Sequence, residues 1–235
     1  MTLPTNKLKS LSAFFPVYNE ERSVEGMVAS LMEALPRAAE WFEILIIDDG
    51  SEDRSGELAD ALAKRHECVR VIHHGHRLGY GAALRSGLAH SQGEFIFVTD
   101  GDEQFDIAEI SRLLPYAPDY DLVIGYRLVR SDHAGRRLNA FLWNWLVRRL
   151  FHLHVTDLNC AFKLLRRSAI QQIPLKTLGQ TISAELLVRA KRAGLSMKEV
   201  GVTHYPRRHG KPTGAQVLVI ARAIAELARF YRELK

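Results

Sequence analysis

Short apolar runs alternating with segments of helical spacing limit what this chain can fold into. SLSAFF (10–15), FEILII (42–47), VRVIHH (69–74) and FIFVT (95–99) read as strands, and DLVIGY (121–126) as a fifth. Between them Val24, Met27, Val28, Leu31 and Leu35 recur at helical spacing. Ser55 to Arg65 reads as a helix with acids near its start, and Ala82 to His90 as another. Strands alternating with helices predict an α/β fold whose mostly parallel sheet is covered on both faces.

The second half has a different texture. Arg136 to Phe151 reads as a helix with Phe141, Leu142, Trp143, Trp145, Leu146, Leu150 and Phe151 between arginine pairs. Thr181 to Ala193 reads as a helix, Met197 to Val202 as a strand, and Gln216 to Leu234 as a final amphipathic helix. This half is expected to pack on the sheet as an extension, so that residues 1–235 form a single domain, a size able to bury a substantial core. Cys68 and Cys160 lie far apart without metal-type spacing, which predicts free thiols in a reducing compartment. MTLPTNKLKS has no apolar signal core, and no run reaches the roughly 18 apolar residues of a spanning helix. Lys and Arg number 32 against 27 Asp and Glu, and arginines crowd in from Arg127 onward. That asymmetry points to an anionic ligand or a membrane surface met by the second half.

Ligands of open parallel sheets bind beyond the carboxyl ends of strands. Three polar loops leave such ends: PVYNEE, DDGSED and TDGDEQ. In the last, Asp100 and Asp102 flank Gly101, with Gln104 two residues on. Alone this is either a solvated turn or a seat for a hard cation. Mg²⁺ or Mn²⁺ takes oxygen ligands, and Mg²⁺ commonly uses one or two carboxylates plus substrate phosphates.

PVYNE, IIDDGSED, RLGYGAALRSG, DGDEQ and a distal RRHG, in this order, resemble family 2 glycosyltransferases of the GT-A fold. The likeness is strongest to the branch that transfers sugars to polyprenyl or dolichol phosphate, and runs from about Ser12 to Gly214. The resemblance implies a nucleotide-sugar-binding half up to about residue 126 and an acceptor-side half after it. Pro16, Tyr18 and Glu20 would line the base and ribose, with Ile47 and Asp49 against the base. Asp100 and Gly101 would face the sugar nucleotide, while Asp102 and Gln104 hold Mg²⁺ or Mn²⁺ at the diphosphate. Arg207 and Lys211, in the distal loop, would close over the phosphates; Arg127, Arg136 and Arg137 would meet the acceptor phosphate; and Asp157 would stand at the acceptor site. Arg77 occupies a position where many relatives carry Asn.

The implied reaction is inverting transfer from GDP-mannose or a UDP-hexose to a polyprenyl phosphate, at the cytoplasmic face of a membrane. A carbohydrate hydroxyl as acceptor is the alternative and requires a base, Asp157 or Glu185. A non-catalytic basic domain on a membrane or nucleic acid is a third reading; basic charge alone is weak evidence for it, and no nucleic acid is expected. LNAFLWNWLVRRLF suits an interfacial membrane helix or a core or dimer helix equally. His73, His74, His76, His152 and His154 lack a second ligand cluster and read as structural or surface histidines. RLGYGAALRSG follows the third strand and its last glycine comes too late for a dinucleotide fingerprint.

Overall fold

A computed structural model describes residues 7–128, 134–207 and 217–234, with side chains described except at 134–141 and 217–222. Seven strands form one sheet: β1 (Leu8–Val17), β2 (Ala39–Asp48), β3 (Val69–His73), β4 (Phe95–Val98), β5 (Leu122–Arg127), β6 (Lys163–Arg166) and β7 (Met197–Val202). Their order is β3-β2-β1-β4-β6-β5-β7. The β1–β2, β2–β3, β1–β4 and β5–β7 pairs are parallel, while β6 runs antiparallel to both β4 and β5.

Sequence patterning anticipates every strand except β6. KLLR is only four residues long, begins and ends with a basic residue and is followed by Arg167, so it carries little local signal. Its strand character comes from partners distant in sequence: Phe97 pairs with Leu164, and Val123 with the same residue on the other side. The second half is therefore more than an extension packed on a finished sheet, because β6 completes the sheet's interior. β1 and β2 also start earlier than their apolar runs, since Leu8 pairs with Ala39 and the ladder continues from there.

Both faces are buried because successive strand residues point to opposite sides. On one face Ala13, Phe15, Ile44, Ile46, Phe97 and Leu164 meet helix α1 (Val24–Ala38), whose Met27, Val28, Leu31 and Leu35 are buried. Helix α2 (Ser55–Arg65) adds Ala59 and Leu62. On the other, Phe14, Leu45, Ile47, Ile96, Val98 and Leu165 meet α3 (Tyr80–His90) and α6 (Ile182–Arg192). The short helix α5 (Arg167–Ile170) follows β6. Helices α4 (Ala134–Phe151) and α7 (Val217–Glu233) meet through Phe151, which packs on Phe230 and Tyr231. No helix among the described residues is long and apolar enough to cross a membrane.

One glycine sets the spacing of α3. A Cβ on Gly87 would overlap the Phe14 ring of β1. Gly87→Ala is therefore expected to destabilise the fold by about 1–3 kcal/mol through overpacking, despite the better helix propensity of alanine. Urea denaturation with an unchanged midpoint would contradict that packing.

Candidate active site

The three polar loops converge beyond the carboxyl ends of β1, β2 and β4. The first two are laced together: Asn19 N–H donates to Ser51 Oγ at 3.1 Å, Glu20 N–H to Ser55 Oγ at 2.8 Å, and Glu52 N–H to Asn19 Oδ1 at 2.8 Å. Gly50 adopts a φ of 71°, and a Cβ there would strike the backbone of His76 and Arg77. The third loop crosses the first at Gly101, where a Cβ would lie 2.7 Å from the Pro16 carbonyl oxygen. Glu103, next along, holds a left-handed φ of 57°.

Two adjacent aspartates brace this frame. Asp48 accepts from Ser51 N–H at 3.0 Å and meets His73 Nδ1 at 2.8 Å. Asp49 Oδ1 accepts from Leu78 N–H at 2.9 Å and meets His74 Nδ1 at 2.8 Å, while Oδ2 accepts from Gly79 N–H at 2.8 Å. His73 also reaches Asp60, and His74 reaches Ser86, so the two histidines are struts between the loop and its helices. Asp49, expected at a base, is thus first the anchor of the glycine turn. The Ile47 side chain is fully buried in the core with α3. At the cleft wall, the Arg77 guanidinium stacks 4.0 Å above the Tyr18 ring.

The acid cluster is held from outside by the segment after β7. Tyr205 N–H donates to the Gln104 carbonyl at 2.8 Å, Gln104 Nε2 donates to the Tyr205 carbonyl at 2.9 Å, and Phe105 bridges to His204. With its nitrogen so engaged, the Gln104 amide keeps its oxygen as the remaining ligand atom. Arg207 pairs with Glu20 and approaches Asp102 Oδ2 at 3.6 Å. Asp100 lies deeper. Burial, then the neighbouring charge of Asp102, push its pKa up to about 7 against the pull of Lys163 and Arg127. The Asp102 carboxylate and the Gln104 amide oxygen are the kind of oxygen donors that a hard divalent cation takes. Among the described residues no group of three or more His, Cys, Asp and Glu side chains is placed to hold a metal ion.

Across the cleft, Arg127 at the end of β5 grips Asp157 bidentately, Nε to Oδ2 at 2.6 Å and Nη2 to Oδ1 at 2.9 Å. Asp157 is 4% exposed. Glu185, also buried, accepts from the Lys176 and Thr177 N–H groups, from Thr177 Oγ1 and from Arg189 Nε. It anchors the loop whose Leu178 carbonyl receives Gly81 N–H at 2.8 Å, and so supports the glycine turn from behind. Arg136, Arg137 and Lys211 lie outside the residues whose side chains are described. The motif reading missed Tyr80 and Lys163, which stand behind Asp100. A lysine inside the apolar run AFKLL is the signal that marks the second.

The family model for glycosyl transferase family 2 matches residues 12–174. The chain belongs to that family. Curated relatives include undecaprenyl-phosphate 4-deoxy-4-formamido-L-arabinose transferase of Pseudomonas paraeruginosa, 32% identical over 86% of this chain and 59% of its own length. Another is dodecaprenyl-phosphate galacturonate synthase of Rhizobium johnstonii, 30% identical over 85% of this chain and 60% of its own. The chain thus spans about three fifths of the length of these polyprenyl-phosphate sugar transferases. Among solved structures, glucosyl-3-phosphoglycerate synthase of Mycobacterium tuberculosis, in complex with Mn²⁺, UDP and glucosyl-3-phosphoglycerate, superposes with a TM-score of 0.76. That match covers 94% of this chain and 80% of the other at 20% identity, and it shows the GT-A fold expected from the motifs.

The histidine struts carry a pH signature. Burial lowers the His73 pKa, but Asp60 and Asp48 outweigh it, and the net shift is upward from 6.5. Burial raises Asp48, but bonds from Ser51 and His73 outweigh it, and the net shift is downward from 3.8. The His73 contribution is full below pH 6.5 and fades as pH rises through its raised folded value; that of Asp48 is full above 3.8 and fades as pH falls through its lowered one. His73→Gln should therefore cost most near pH 5, roughly 0.5–1 kcal/mol given the exposure of the ring, and least near pH 9. Melting temperatures differing by the same amount at both pH values would refute the assignment.

Proposed function

We propose that this chain transfers a sugar from a nucleoside-diphosphate sugar to a polyprenyl phosphate, with inversion at the anomeric carbon. The observation that carries this reading is that neither candidate base for a hydroxyl acceptor is available. Both Asp157 oxygens already receive N–H bonds from Arg127, and the Glu185 carboxylate is saturated by backbone, hydroxyl and guanidinium donors. A phosphate acceptor needs no base, because it arrives as an anionic nucleophile. The names of the curated relatives, which act on undecaprenyl and dodecaprenyl phosphates, support the same choice.

The roles follow from position. Tyr18, walled by Arg77, and Glu20 lie where base and ribose would rest, with Pro16 and Gly101 forming the floor. Asp100 orients the ribose and sugar. Asp102 and Gln104 would hold Mg²⁺ or Mn²⁺, which when bound neutralises charge on the leaving diphosphate. Arg207 turns from Glu20 and Asp102 to the phosphates, arginine being suited to forked contacts with phosphate oxygens. Arg127, held in orientation by Asp157, faces the incoming acceptor. Its phosphate oxygen attacks the anomeric carbon as the bond to the diphosphate breaks. The Mn²⁺ and UDP in the superposing synthase support a metal and a uridine donor.

Residues 1–235 act as one catalytic unit on the cytoplasmic face of the membrane in this reading. Leu142 and Trp145 of α4 are more than half exposed, and Arg148 and Arg149 follow them. An apolar face bordered by arginines suits the headgroup boundary.

Asp102→Ala should keep its melting temperature within a few degrees yet lose roughly 100-fold or more of transfer activity. EDTA should abolish wild-type turnover and Mn²⁺ restore it; undiminished activity in either experiment would exclude the metal assignment. Trp145→Glu should reduce flotation with anionic vesicles containing polyprenyl phosphate, and equal flotation of both proteins would place the contact elsewhere.

A further inference from the structure

Lys163 is a buried charge for which the reaction outlined above has no use. It is 3% exposed, in the first position of β6. In the sheet register it lies opposite Val98 of β4 on one side and Ile124 of β5 on the other. Directly paired residues on antiparallel strands point to the same face, so its side chain projects to the side of α3 and α6. There it shares a cavity of ≈ 10 Å³ with Tyr80, Val98, Ala161 and Ser183. Asp100 follows Val98 by two residues and leaves the strand on that same face. The Lys163 ammonium also donates to the Cys160 carbonyl, in the loop that carries Asp157.

An ammonium in such a place requires compensating charge. Burial depresses its pKa, and the nearby charges of Asp157 and Asp100 oppose that effect. Asp100 in turn has the Tyr80 phenol beside it, on the first residue of α3. Arg127, a second cation acting on Asp100, is already held by Asp157. Lys163 thus stands between the donor-side carboxylate and the loop of the acceptor-side one, on the strand that lies between β4, which leads to Asp100, and β5, which ends at Arg127.

We propose that Lys163 is a positioning residue that sets donor and acceptor subsites against each other, holding Asp100 toward the sugar nucleotide and, through the Cys160 carbonyl, the Asp157–Arg127 pair toward the acceptor. This inference rests on the donor and acceptor assignment proposed above. Lys163→Met removes the charge at similar length, and Lys163→Arg retains it. In the full chain, calorimetric titration of UDP in the presence of Mn²⁺ reads the donor side separately from turnover. Lys163→Met should bind UDP about 10-fold more weakly per folded molecule, raise the KM for the lipid phosphate and lower kcat by about 10-fold or more, with Lys163→Arg recovering part of each. A folded Lys163→Met protein with all three within twofold of wild type would overturn the proposal. If Lys163→Met does not fold, Lys163→Gln replaces it. Failure of both neutral variants to fold while Lys163→Arg folds would assign the charge to stability alone and also overturn it. A wild type that binds neither UDP nor GDP would overturn both this role and the functional reading. A wild type that binds UDP but does not glycosylate polyprenyl phosphate overturns the acceptor assignment only, and the UDP titration still decides Lys163.

Discussion

β4 and β5 never touch as neighbours; β6 lies between them, pairing four residues with β4 and three with β5. Everything that faces the cleft depends on this junction. On one side β1, β2 and β4 deliver the polar loops, and on the other β5 and β7 deliver Arg127 and the segment that clasps Gln104. Phe97 and Phe162 pack edge to face at 4.7 Å across the join, and Phe105 extends the contact toward the acid cluster. A fixed separation between two binding regions is worth several kcal/mol to a bimolecular reaction, because orientation is supplied before the reactants arrive.

The cleft is built from ions that hold one another. Asp48 and Asp49 are tied to histidines and backbone N–H groups, Asp157 to Arg127, and Glu20 to Arg207. Buried pairs of this kind add little net stability, but removal of one partner is costly because the other stays charged out of water. Their value here is geometric. The same logic explains why Glu43, far from the cleft, is satisfied by Ser12, Arg70 and the Gln92 N–H: the opposite end of the sheet needs its own fixed point.

The strands with apolar runs of five or six residues were legible because period-two burial on both faces leaves a continuous hydrophobic signature. β6 was not, because its partners are dozens of residues away and its own two ends, Lys163 and Arg166, are basic. The three cleft loops were legible as motifs, yet residue roles were less so. Ile47 occupies the right strand end but points into the core, a matter of register that a motif does not encode. Asp49 reads as a ligand contact because its carboxylate is conspicuous, while its partners are the His74 ring and two backbone N–H groups that have no sequence signature. Lys163 was missed: a charge inside an apolar run is its one sequence signal, and its meaning appears when the register places it opposite Val98 and Ile124.

The ends of the sheet have their own consequence. Among the described residues β3 and β7 are the outermost strands, and each leaves one row of backbone groups without a neighbouring described strand. β3 is only five residues long and carries Arg70, while β7 carries Lys198 and Glu199. Arg112 covers the Gly201 carbonyl at 2.9 Å. Short length, charge and side-chain cover discourage strand addition from another chain. Among the described residues the ladder thus ends in strands whose own chemistry resists a further partner, which protects a sheet rich in β-branched core sequence from edge-to-edge aggregation.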